Sequence, residues 1–138
     1  MPLFSPKRNI SDTEYKLRIL CCLDALGLAT QDQLRPFAAQ LEQMDINYVA
    51  AELVFPTEDS PLLEEGYIRS HHEAGRLLWV NTILYNCLKP LSGGHTDDVA
   101  VMGDPDKGWG WNIDKGFDIL QTDWTMALRS YLEQRKQK

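Results

Sequence analysis

Proline and glycine punctuate this chain so often that no element can run long, and their placement constrains the fold more than any other feature. Gly27 follows one run of helical spacing, Pro36 interrupts a second and Pro56 stops a third. Pro61 and Gly66 bracket a short turn, Gly75 stands between two strand-like runs, and Pro90 with Gly93 and Gly94 breaks the chain again. Proline removes a backbone donor and fixes φ, whereas glycine reaches positive φ without strain, so each marks an end or a turn. Apolar runs between these breaks fall far short of the ~18–20 residues that cross a bilayer, and no membrane span is expected.

Between the breaks the spacing predicts three helices. Ser11 with Glu14 forms a capping box ahead of Tyr15, Ile19, Cys22, Leu23 and Leu26, which share one face. Thr30 with Gln33 opens a second helix that presents Leu34, Phe37, Ala38 and Leu41. Asp45 caps a third over "INYVAAELV", where Ile46, Val49, Ala50 and Leu53 fall at helical spacing. "YIRSHH" and "RLLWV" then flank "EAG", a hairpin signal. Further on, "VAVM" and "WGWNI" read as two short strands around the turn "GDPDKG". A final amphipathic helix carries Trp124, Leu128, Tyr131 and Leu132 on one face and ends in Arg135, Lys136 and Lys138, cations suited to a helix C-terminus.

The expected class is therefore α+β: a tail over 1–10, three helices and a hairpin over 11–81, and an extension over 82–138 of loop, short β-hairpin and helix. Three helices followed by a hairpin resemble a winged helix, a helix-turn-helix domain with a β wing. The resemblance rests on "YKLRILCCLDALG", "ATQDQLRPFAAQLEQMD", "INYVAAELV" and "LLEEGYIRSHHEAGRLLWVN". More narrowly, the chain is similar to small uncharacterised winged-helix proteins of clostridia described as candidate transcriptional regulators. That resemblance implies a DNA-binding protein linked to transcription, while the cysteine usage and the motifs themselves lead to the expectation of a cytoplasmic protein with no catalytic role. Asn47 and Tyr48 would then lie on the helix facing the groove, and Arg69, His71, His72 and Arg76 on the wing against phosphate.

Charge pulls the other way. The net charge is -6, with 8 basic against 12 acidic residues through Leu91 and 6 against 8 beyond it, so neither part is a basic arm. The third helix offers Asp45 and Glu52 and no cation. The alternative expectation is accordingly an acidic protein-interaction module or inhibitor whose third helix faces a basic partner.

Other constellations are weaker. Cys21, Cys22 and Cys87 make an odd number without CxxC spacing, which argues against a disulfide framework or zinc cluster and for a reducing compartment. His71 and His72, adjacent on a strand, would point to opposite faces and chelate poorly. Asp104, Asp106 and Gly108 echo the start of a calcium loop, but Lys115 occupies the twelfth position, where the motif needs a bidentate Glu. Ser92 and His95 lie in a flexible loop without a nucleophile elbow. No metal, cofactor or catalytic set is expected. Trp109 and Trp111, two apart in a strand, would share a face as a platform for a ligand or partner, and the terminal helix stripe could pair with its mate in a homodimer.

Overall fold

The computed structural model describes residues 20–22, 43, 49–83 and 91–137. Within "LLWVN" burial alternates, with Leu78 and Val80 fully buried and Leu77, Trp79 and Asn81 half-buried. This period of two marks a strand with one face in the core. It is β3 (Leu77–Asn81), which lies between β2 (Ala50–Leu53) and β4 (Ile119–Gln121), while β1 (Leu20–Cys22) borders β2. All three pairings are parallel, in the order β1-β2-β3-β4. A strand order that follows the chain without reversal is that of consecutive βα units in a barrel wall, whereas doubly wound sheets reverse.

Parallel neighbours need long crossovers, and the intervening chain supplies them. Between β2 and β3 run a 3-10 turn (Pro61–Leu63) and α1 (Glu65–Glu73). Between β3 and β4 come α2 (Asp97–Met102), a π-helical turn (Asp106–Gly110) and α3 (Trp111–Lys115). The last element is α4 (Thr125–Arg135). One face of the sheet, through Ala51, Leu53, Leu78 and Val80, packs with Phe55, Leu62, Leu63, Ile68 and Phe117 in a single cluster, with Leu120 against it. Phe55 stacks on Phe117 at 5.8 Å between ring centroids.

The mixture of helix and strand matches the expectation; several element types do not. The proposed third helix is β2 over Ala50–Leu53, and its earlier residues lie outside the described ones. The proposed first wing strand, "YIRSHH", belongs to α1, and the proposed second strand is β3, paired in parallel with β2. The hairpin therefore does not form. Gly75 does adopt a positive φ of 71°, but as a helix terminus: its N–H donates to the carbonyl of His72 (2.9 Å) and that of Arg76 to His71 (2.9 Å), a Schellman cap. The second predicted hairpin is likewise helical. "VAVM" lies in α2, and "WGWNI" runs from the π turn into α3. Gly108 explains why: a Cβ there would stand 2.6 Å from the Ala100 Cβ and 2.7 Å from its backbone nitrogen, so the glycine lets the π turn press against α2. Pairing of β3 with β4 also carries one sheet across the boundary expected after Asn81.

Candidate functional site

Ligands of parallel α/β sheets bind beyond the carboxyl ends of the strands, where polar side chains escape the core without disturbing it. Here the face turned away from the hydrophobic cluster becomes polar toward those ends. Register pairs Glu52 with Trp79, Trp79 with Ile119, and Asn81 with Gln121. Paired residues of a parallel sheet share a face, so Glu52, Trp79, Asn81 and Gln121 form one patch across β2, β3 and β4. All four are half-buried.

The patch is electrostatically specific. Burial raises the Glu52 carboxyl above its usual range, and a hydrogen bond from Asn81 partly opposes that shift. Asn81 Oδ1 accepts the backbone N–H of Ile83 at 3.0 Å, which orients its amide donor toward Glu52. Beside them the Trp79 Nε1–H is buried without a hydrogen-bond partner among the described residues, and the Gln121 carboxamide forms no bond there either.

Behind this patch Asp97 fixes the strand ends. It is 4% exposed. Its Oδ1 accepts from Thr82 Oγ1 (2.6 Å) and Trp109 Nε1 (2.8 Å), and its Oδ2 from the backbone N–H of Asp123 (3.1 Å). Thr82 also meets the carbonyl of Gln121 at 2.7 Å. One carboxylate thus joins the chain leaving β3, the π turn and the chain leaving β4. The N-cap of α2, Thr96, holds Asp97 at the first helical position.

The residues singled out from sequence are dispersed. Arg69 lies on the exposed side of α1 between Glu65 (3.8 Å) and Glu73 (3.9 Å). His71 is buried and its Nδ1 donates to the Tyr67 carbonyl at 3.0 Å. His72 faces outward, with Nε2 3.0 Å from Asp118 Oδ2. Arg76 follows the helix cap at the opposite end of β3 from Asn81. These four do not make a basic finger, because a helix spreads over its circumference what a hairpin would gather. Asn47, Tyr48, Asp45 and Cys87 lie outside the described residues. Trp109 and Trp111 do not share a platform: Trp109 is buried on Asp97, while Trp111 stacks on the His95 ring at 3.7 Å. On α4, Leu128 and Tyr131 are half-buried, whereas Trp124 (51%) and Leu132 (36%) are exposed.

Two further polar clusters occupy the helical side. His95 Nδ1 meets the Lys107 carbonyl (2.6 Å) and Nε2 meets Glu58 Oε1 (2.9 Å), while buried Ser92 donates to the His95 carbonyl rather than its ring. Tyr131 donates to Asp106 Oδ1 (2.5 Å) and accepts from Arg135 Nη1 (2.9 Å), and Arg135 also pairs with Asp114. Burial first, and the Asp106 bond second, raise the Tyr131 hydroxyl above its usual range, so it remains a donor. These contacts line an open hollow of 420 Å³. Among the described residues no three His, Cys, Asp or Glu side chains converge as metal ligands, and no helix there is long and apolar enough to cross a membrane.

A family model described as a domain of unknown function, DUF4996, matches residues 26–132. The chain belongs to that family. No curated protein matches it. The DUF4996 match spans β2 through most of α4 and so takes in every member of the strand-end patch. Sequence reasoning missed that patch because Glu52 was read on a helix and Asn81 as the edge of a wing. The available signal was that "LLWVN" and "ILQ" both end an apolar run on a carboxamide.

Proposed function

We propose that this DUF4996 domain binds a small molecule at the carboxyl ends of its parallel strands, with Glu52, Asn81, Trp79 and Gln121 as the contacting side chains. The observation that carries this reading is the half-buried Glu52 carboxyl, oriented by Asn81 on the polar face of the sheet beside an unpaired indole N–H. A few convergent polar groups against an aromatic surface are the usual composition of such sites, and a carboxyl shifted by burial is a frequent member. Duplex binding, expected from a wing and a recognition helix, draws no support from the dispersed positions of Arg69, His71, His72 and Arg76.

The test is a titration of isotope-labelled protein followed through the side-chain N–H signals of Trp79, Asn81 and Gln121. Inorganic phosphate, spermidine and a set of neutral sugars serve as anionic, cationic and uncharged probes. Saturable shifts of these signals with one class, weakened by Glu52→Ala, are expected. Failure of every class to move them would overturn the reading.

A further inference from the structure

The strand-end patch also carries information about what it recognises. Resting on the site proposed above, we infer that its ligand is a neutral polyhydroxylated ring, a sugar, held by carboxyl and carboxamide groups against the Trp79 indole.

Glu52, Trp79, Asn81 and Gln121 include no lysine, arginine or histidine. A phosphate or carboxylate ligand needs cations or converging backbone N–H groups, and placed here it would face a carboxyl. Among the described residues Arg69 and Arg76 do not supply the charge, the first being on the outer side of α1 and the second at the amino end of β3. A cationic ligand fares little better, since one carboxyl is the patch's whole negative charge and Asn81 already donates to it.

The groups present instead suit hydroxyls. A sugar hydroxyl both donates and accepts, and so satisfies a carboxyl acceptor, an indole donor or either end of a carboxamide. The Trp79 Nε1–H is buried and unpaired, and the Gln121 carboxamide has no bond to a described residue. These groups gain most from a ligand hydroxyl, because a buried unpaired donor is costly until it is satisfied. Glu52 and Asn81 are already hydrogen-bonded to each other, and Asn81 is oriented by the Ile83 N–H, which preorganises them for neighbouring hydroxyls.

Spacing supports the same class. Adjacent strands lie about 4.8 Å apart and Gln121 stands two residues beyond the row of Glu52, Trp79 and Ile119, so the patch spans about 12 Å from Glu52 on β2 to Gln121 on β4. That width accepts a ring whose hydroxyls radiate in its plane, with the Trp79 indole on the central strand between the Glu52 and Gln121 sides. A linear polar chain would leave the indole uncovered.

The experiment uses the intact chain and glucose, mannose, galactose and myo-inositol, each titrated to its solubility limit, with phosphate and spermidine as the charged probes. At least one ring polyol is expected to saturate and to shift the Trp79 indole signal. Trp79→Phe, which keeps a ring but removes the donor, should weaken that binding about three- to tenfold, the range for one lost hydrogen bond. Glu52→Gln, which retains an acceptor, should weaken it less than Glu52→Ala, and Arg69→Ala should leave it unchanged. If only phosphate or spermidine shifts the patch, the site reading stands and the sugar assignment is overturned. If no probe does so while the protein remains folded, both fall. Shifts elsewhere that Trp79→Phe and Glu52→Ala leave intact would also overturn the assignment.

Discussion

Glu52 and Asp97 are two carboxyl groups of one fold with opposite roles, and their partners decide which is which. Asp97 receives two side-chain donors and one backbone donor, so its removal takes an acceptor from the buried Thr82 and Trp109 side chains. Asp97→Ala should orphan the buried Trp109 indole N–H and cost about 1–3 kcal/mol, the range for one unsatisfied buried group. Urea unfolding would measure this, and Asp97→Asn, which keeps an acceptor, should lose less. Glu52 has one donor, and burial raises its carboxyl. In the pH interval between its unfolded value and that raised folded value, the native state binds more of the Glu52 proton than the unfolded state does. Its contribution to stability is thus complete below the unfolded value and falls as pH rises through the folded one. Glu52→Gln should flatten that part of the stability profile, which denaturation at a series of pH values would show. Neither role was legible in sequence. Asp97 depends on Trp109 and Asp123, brought together only by the crossover, and Glu52 lies within "INYVAAELV", whose Ile46, Val49, Ala50 and Leu53 stand at helical spacing.

At the scale of elements, local pattern and tertiary pairing disagree most over α1. "YIRSHH" has the β-branched and aromatic content of a strand and stands before a glycine, yet Glu65, Arg69 and Glu73 recur every four residues and form a ladder of exposed i,i+4 pairs. Ile68 and His71, three apart, turn inward together. That periodicity was present in the sequence and outweighs composition. Gly75 was correctly marked as a positive-φ position, but a Schellman cap and a hairpin turn ask the same thing of a glycine, so the residue alone could not decide between them. No atom lies within 4 Å of where its Cβ would be. Gly75→Ala should therefore cost only the conformational strain, about 1–2 kcal/mol. Gly108→Ala is the contrasting case, because its Cβ would meet the Ala100 backbone at 2.7 and 2.9 Å. Separation of the π turn from α2 should cost about 1–3 kcal/mol. Thermal unfolding of both variants should also show loss of the Trp109 to Asp97 bond in Gly108→Ala alone, read from the indole N–H signal.

Across the whole molecule, packing is uneven. The sheet is anchored by fully buried Ala51, Leu53, Phe55, Leu78 and Val80, whereas α4 has no buried residue at all. Its attachment rests on half-buried Ala127, Leu128 and Tyr131 and on the polar contacts of Tyr131 and Arg135 with Asp106 and Asp114. Elements held by few apolar contacts open at lower free energy than the core they cover. The helix itself was legible from its amphipathic spacing; its shallow seating was not, because that depends on Gly110, whose missing side chain leaves space for the Tyr131 hydroxyl and the Arg135 guanidinium. Exposed ion pairs contribute little alone, about 0–1 kcal/mol, but here the guanidinium and the hydroxyl share one network. Tyr131→Phe and Arg135→Ala should each destabilise the docked helix modestly, and together by less than the sum of the two, since each removes the same bond. Hydrogen exchange should then quicken over Thr125–Arg135 while the amides of β2 and β3 keep their protection. Equal acceleration in helix and sheet would instead mean that α4 and the sheet open as one cooperative unit, with the clamp contributing to the stability of the whole domain.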